Sequence, residues 1–174
     1  CTKLFHNALQ GQNVAVGDKL LREYERVNEI NAMRLRPDLE QADVVIIHDP
    51  QPAALLRHMP KRKGKWIWRC HIDVSHPHRP VWRYLRPLVA DYDASVFSLA
   101  DFVQHLPHPV YLIPPSIDPL SEKNVELADS EIDAVCERFG IDRSRPLLLQ
   151  VSRYDRFKDP VGVVEAFRLT RPFV

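Results

Sequence analysis

The sequence predicts an α/β fold built on a parallel sheet, and three observations predict it. Short β-branched or aromatic runs at residues 44–47, 66–70, 95–97 and 110–113 alternate with stretches of helical periodicity, the rhythm of strand–helix–strand units. The run Val44-Val45-Ile46-Ile47 is apolar without alternation, the pattern of a strand covered on both faces. Hydrophobic residues make up 45% of 174, ample for a packed core.

Taken in order, residues 1–16 contain Phe5-His6-Asn7-Ala8-Leu9-Gln10-Gly11, which reads as a loop. A ligand-facing turn ahead of Gly11 is the alternative. From Asp18 to Leu35, the residues Leu20, Leu21, Tyr24, Val27, Ile30 and Leu35 recur at helical spacing, with Asp18 as N-cap and Pro37 as the stop. Arg22, Glu25, Arg26 and Glu29 form its outer face, so one stripe packs on a sheet. The strand at 44–47 ends in His48-Asp49-Pro50-Gln51-Pro52, and Pro52 suits the first position of a helix over 53–59. The strand at 66–70 ends in His71-Ile72-Asp73. A loop with Ser75, His76, Pro77, His78 and Arg79 leads to Pro80, which opens a helix burying Val81, Tyr84, Leu85, Leu88 and Val89. The strands at 95–97 and 110–113 follow.

Pro114-Pro115-Ser116-Ile117-Asp118-Pro119 suits neither a helix interior nor a central strand and reads as a rigid connector. Beyond a polar stretch, residues 131–139 form a short helix closed by Gly140. Leu147 to Val151 reads as a new buried strand, Ser152 to Pro160 as the loop behind it, and Val161 to Leu169 as the next helix. The expected organisation is most of one α/β domain over 1–114, a connector and helix over 115–144, and the opening strand–helix unit of a second domain over 145–174.

Several function classes drop out. A formal charge of +1 gives no basic face for nucleic acid, and the run Arg57 to Lys65 reads as a solvated loop. Cys1, Cys70 and Cys136 form no CxxC pair, so neither a disulfide framework nor a cysteine zinc site is indicated, and a reducing cytoplasm fits best. No apolar run approaches the roughly 20 residues of a membrane span, and no signal-peptide pattern occurs. Fifteen prolines against five glycines, with no GxGxxG and no GxxxxGK[ST], argue against a glycine-rich phosphate cradle. The polar start at Cys1 and the stop at Val174 lead us to expect a fragment of something longer.

The candidate chemistry gathers at strand ends. His48-Asp49, Arg69 to Asp73, and Ser98 all fall at the carboxyl edge of the sheet, where open α/β sheets bind ligands. One polar strand end means little, and a single His there is as often a cap. Two on successive parallel strands point to a site. His71, Asp73, His76 and His78 also invite a metal reading, but the spacing lacks the helical i,i+4 pair of HExxH, and a His-rich loop is more often solvated. The expectation is no metal, with a metal hydrolase kept as a rival that bound metal would reveal. Arg153 and Lys158 lie just before a helix N-terminus, a place suited to a diphosphate. Taken alone, Arg153, Arg156 and Lys158 read more simply as exposed loop charges.

A resemblance shifts these weights. Val151-Ser152-Arg153-Tyr154-Asp155-Arg156-Phe157-Lys158 resembles the G/S-R-x(3–4)-K segment of the retaining GT-B glycosyltransferases of family 4. Ile113-Pro114-Pro115-Ser116-Ile117-Asp118 is similar to that family's Ile-Pro-Asn-Gly-Ile-Asp connector between two Rossmann-like domains, and His71 falls at its active-site histidine. Residues 5–11, 48–55, 68–73 and 114–125 together resemble its trehalose-forming branch. The resemblance implies a partial GT-B fold whose sheet is Rossmann-like. It implies transfer of glucose from a nucleotide diphosphoglucose to glucose with retention, giving trehalose, without a cofactor or metal. It assigns His71 and Asp73 to the reacting sugar, Arg153 and Lys158 to the donor diphosphate, and His6, Asn7, Asp49, Gln51 and Arg69 to the acceptor.

The sequence departs from the family pattern by lacking the first strands of the N-terminal domain, with their glycine turn. It also lacks the pair of glutamates eight positions apart that holds the donor. The chain by itself is therefore expected to be inactive. A sucrose- or glycogen-type family 4 enzyme is the enzymatic rival, against which the motifs at 6–11 and 48–55 argue. A truncated chain that self-associates, as a homodimer burying open sheet edges, is the non-enzymatic one.

Overall fold

The structure, a computed structural model, describes residues 2–173. The chain forms two compact units, Cys1–Ser116 and Ile117–Val174.

The first unit opens with helix α1 (Thr2–Leu9), where the sequence reading expects a loop. Phe5, Ala8 and Leu9 are fully buried, and their i, i+3, i+4 spacing is the signal for that helix. Helix α2 (Asp18–Gln41) continues past Pro37, the expected stop. Proline removes one intrahelical bond, to the carbonyl of Met33. Met33 is 57% exposed, so water is at hand for the freed carbonyl and the helix carries on.

Four strands follow: β1 (Val44–His48), β2 (Lys65–Arg69), β3 (Ala94–Phe97) and β4 (Val110–Leu112). They pair in sequence order, all parallel, so the fold is α/β with a parallel sheet as expected. Between β1 and β2 the residues Ala53–His58 form a 3-10 turn rather than the expected α-helix. Helix α3 (Arg79–Ala90) joins β2 to β3, and a 3-10 turn, Ala100–Phe102, lies between β3 and β4.

The register shows which face is covered. Val45 pairs with Trp66, and Ile47 with Trp68 and through it Ser95, so these side chains share one face. That face is buried, with Trp66 and Trp68 at 0% exposure. Trp82 of α3 lies over Trp68, ring centroids 6.5 Å apart. Phe5 of α1, Tyr24 of α2 and Tyr84 of α3 form an aromatic cluster outside this layer, with centroids 4.8 to 6.3 Å apart. The opposite face carries Val44, Ile46, Ile67, Val96 and Tyr111. Val44, Ile46 and Tyr111 are each more than half exposed. Parallel connections keep one hand, so crossovers that step in a single direction all fall on one side of a sheet.

In the second unit, helix α4 (Asp129–Phe139) is closed by Gly140 in left-handed backbone, φ 64°. Helix α5 (Pro160–Thr170) follows a 3-10 turn, Arg156–Lys158. The expected strand at 147–151 does not form, and Leu147, Leu148, Leu149 and Val151 are exposed. A strand exists through its ladder, and no strand is present among the described residues of this unit to pair with it. No helix among the described residues is long and apolar enough to cross a membrane.

Candidate functional site

The site assembles at the carboxyl ends of β1 and β2. Strand β1 ends because Asp49 adopts left-handed backbone, φ 65°, which turns the chain sharply away from the sheet. The turn is fixed on every side. The Asp49 N–H donates to the Arg69 carbonyl (2.8 Å), and the Trp68 indole Nε1–H donates to the Asp49 carbonyl (2.9 Å). The Tyr24 hydroxyl donates to the Pro50 carbonyl (2.8 Å), and Asn28 Nδ2 donates to the Gln51 carbonyl (3.0 Å). Helix α2 thus holds the segment from Asp49 to Pro52 by its backbone. Burial and the neighbouring Tyr84 push the Tyr24 phenol well above its usual range, so it stays a neutral donor.

This arrangement delivers the Asp49 carboxylate to β2. Its Oδ1 accepts the backbone N–H of His71 at 2.9 Å. The His48 and His71 imidazoles then meet, with Nδ1 of His48 2.8 Å from Nε2 of His71. Both rings are exposed at the edge. Arg69 is only 9% exposed, donating to the Phe97 carbonyl (3.2 Å) and to Ser98 Oγ (3.4 Å) across the end of β3. It makes no ion pair among the described residues. Cys70, between them, is buried, and burial pushes its thiol up to about 12, so it is not a nucleophile at neutral pH.

The loop after β2 is clamped as firmly. Asp73 Oδ1 accepts the Ser75 N–H (2.8 Å), which closes a local turn. Gln104 Nε2 donates to the carbonyls of Val74 (2.8 Å) and Ser75 (3.0 Å), and the His78 N–H donates to the Ala8 carbonyl (2.8 Å). That last bond places the end of α1, which carries His6 and Asn7, beside the loop. Gly11 approaches so closely that a Cβ there would lie 2.8 Å from the His76 carbonyl oxygen. Of the sequence-predicted groups, His71, Asp49 and Arg69 therefore come together at one edge. Gln51 lines a neighbouring cleft of about 470 Å³ with Phe5, Glu23, Tyr24, Asn28 and Asn31. Among the described residues no three His, Cys, Asp or Glu side chains gather as a metal site.

A family model described as the N-terminal domain of trehalose synthase matches residues 1–104, the segment that carries these strand ends. The chain belongs to the trehalose synthase N-terminal domain family. Its similarity to trehalose synthases runs further along the sequence: it is 45% identical to that of Thermococcus litoralis over 170 residues and equally so to that of Pyrococcus furiosus. It is 44% identical to that of Rubrobacter xylanophilus over 178 residues. These matches cover 96% to 98% of the chain but only 40% to 42% of each relative, so the chain spans well under half of their length.

In the second unit, by itself, Arg153 is exposed and lies 3.4 Å from the Asp155 carboxylate. Lys158 ends the 3-10 turn ahead of α5, and its carbonyl accepts from Gln150 Nε2 at 2.5 Å. Asp159, in left-handed backbone with φ 43°, caps α5 by accepting the Gly162 N–H at 3.1 Å. The helix N-terminus where an anion was expected thus already faces one carboxylate. Within the trehalose synthase domain, the residues least visible in the sequence are those that support rather than present. Tyr24 and Asn28 look like two more positions on a helix face, and Trp68 like core. The sequence marks His48 only as a strand end, because its pairing with His71 depends on the register of β1 against β2.

Proposed function

We propose that this chain supplies the acceptor-side wall of a retaining glycosyltransferase that makes trehalose from a nucleotide diphosphoglucose and glucose. The observation that carries this reading is the strand-end cluster of Asp49, His71 and Arg69 inside the segment matched by the family model. Glycosyl transfer needs hydrogen-bonding groups fixed around the sugar and a cation clamp for the departing diphosphate. His71 and Asp73 would serve the reacting sugar, and His6, Asn7, Asp49, Gln51 and Arg69 the acceptor. Arg153 and Lys158 would serve the diphosphate. The reading places the reaction in the cytoplasm, with no metal and no bound cofactor, and it leaves the chain inactive by itself.

Calorimetry tests both halves. Glucose or trehalose should bind the 174-residue chain weakly and lose that binding in His71→Ala. A nucleoside diphosphate should bind and lose affinity in the Arg153→Ala/Lys158→Ala double variant. Diphosphate binding unchanged by that double variant overturns the clamp assignment. Trehalose formed by the purified chain overturns its inactivity.

A further inference from the structure

The two imidazoles at the strand ends have a geometry that says how they interact. Their planes are 9° apart and their centroids 5.1 Å apart, while the nearest nitrogens are 2.8 Å apart. A centroid separation longer than the nitrogen contact by about two ring radii means that the rings lie end to end in nearly one plane. This is the shape of an N–H···N hydrogen bond, not of face-to-face stacking. One nitrogen donates and the other accepts, so a single hydrogen lies between Nδ1 of His48 and Nε2 of His71.

We propose that His48 is a positioning residue for His71, fixing the orientation and tautomer of its ring through this bond. This rests on the sugar-site reading above and extends it to a residue to which that reading gives no role. A neutral imidazole whose one nitrogen is engaged has its other nitrogen's role decided. If His48 donates, the outward Nδ1 of His71 carries a hydrogen and the outward Nε2 of His48 is a lone pair. If His71 donates, the two roles exchange. In both states the pair shows one donor and one acceptor, complementary to hydroxyl groups, which do both. The backbone brings the two residues together: Asp49 holds the His71 N–H at 2.9 Å, and the register sets His48 beside Arg69, two residues short of His71. Doubly protonated rings would put a hydrogen on both facing nitrogens and lose the contact.

The test is nitrogen-15 NMR of the imidazoles in the 174-residue chain, at a pH above the ordinary imidazole range. Wild type should show scalar coupling across the N–H···N bond between His48 and His71. His48→Ala should shift both ring nitrogens of His71 towards the averaged values of a free imidazole. His48→Asn, whose amide sits where Nδ1 does, should return them towards wild type. Near-ultraviolet circular dichroism of the buried Trp66, Trp68 and Trp82 checks that each variant is folded. His71 signals that are the same in wild type and in folded His48→Ala overturn the proposal. If the coupling is present but glucose and trehalose move neither ring, the sugar-site reading fails while the hold of His48 on His71 stands.

Discussion

The carboxylate of Asp49 accepts the backbone N–H of His71 at 2.9 Å, and Asp49 does so from left-handed backbone with φ 65°. One residue thus ends the first strand and ties it to the residue beyond the second. Its substitutions should separate the two jobs. Asp49→Asn keeps an acceptor and tolerates the conformation. Asp49→Gly relieves the backbone but drops the bond, and Asp49→Ala loses both. We expect stability to fall in that order, with Asp49→Ala roughly 1–3 kcal/mol below wild type. Urea denaturation measures it, and Asp49→Ala as stable as wild type would refute the assignment.

Tyr24 acts at a distance. Its hydroxyl meets the Pro50 carbonyl at 2.8 Å inside the core, so Tyr24→Phe leaves that buried acceptor only the longer 3.3 Å bond from the Ala53 N–H. The expected loss is about 1–2 kcal/mol in thermal or urea denaturation. The imidazole signals of His48 and His71 should broaden as the segment between Asp49 and Pro52 loosens.

Gly64 leads into β2 where two backbones nearly touch. A Cβ there would lie 2.1 Å from the Ala42 carbonyl oxygen and 2.3 Å from that of Asp43. Backbone has nowhere to retreat, so Gly64→Ala should displace the start of β2 and destabilise the protein by several kcal/mol. Expression of a soluble, cooperatively folding Gly64→Ala protein would contradict this.

Acid sensitivity should trace in part to Asp93. Its carboxylate accepts the Trp66 N–H (2.9 Å) and pairs with Lys65 (3.0 Å) and Arg62 (3.3 Å), which holds its pKa below the ordinary carboxylate range, the backbone bond to Trp66 contributing most. A depressed folded pKa gives stability that is fully present above the unfolded value and is lost as pH falls through the folded one. Asp93→Asn should be less stable than wild type at neutral pH, and the gap should close below the ordinary carboxylate range.

Cys70 has the opposite sign. With the folded thiol pushed up to about 12, the native state keeps its proton while the unfolded state loses it at an ordinary thiol pKa. Its contribution is therefore intact below the unfolded value and declines as pH rises towards the folded one. In a variant retaining only this cysteine, iodoacetamide should label native protein at the rate of unfolding and denatured protein at once.

The sheet was legible because parallel strands advertise themselves: the runs at 44–47, 66–70, 95–97 and 110–113 each became a strand to within a residue or two. The strand at 147–151 was not, because apolar content shows what a segment is suited to and not whether a partner is present. Helix α1 escaped because eight residues give little periodicity, although Phe5, Ala8 and Leu9 carry it. At the site, His71, Asp49 and Arg69 could be picked out by chemistry at strand ends. Asp73 could be picked out in the same way, and the local turn its Oδ1 closes with the Ser75 N–H could not. His48 and its partner could not be joined by sequence, since a contact across 23 positions depends on how two strands align.

The uncovered sheet face has a practical result at the bench. Val44, Ile46 and Tyr111 stand on it more than half exposed, beside Ile67 and Val96. Environment-sensitive dyes fluoresce when they find such surfaces. A dye-based melting curve of this chain should therefore begin bright before any heating, and its baseline would report native protein as much as unfolded. Intrinsic fluorescence of Trp66, Trp68 and Trp82, all buried on the other side of the sheet, is the better thermometer.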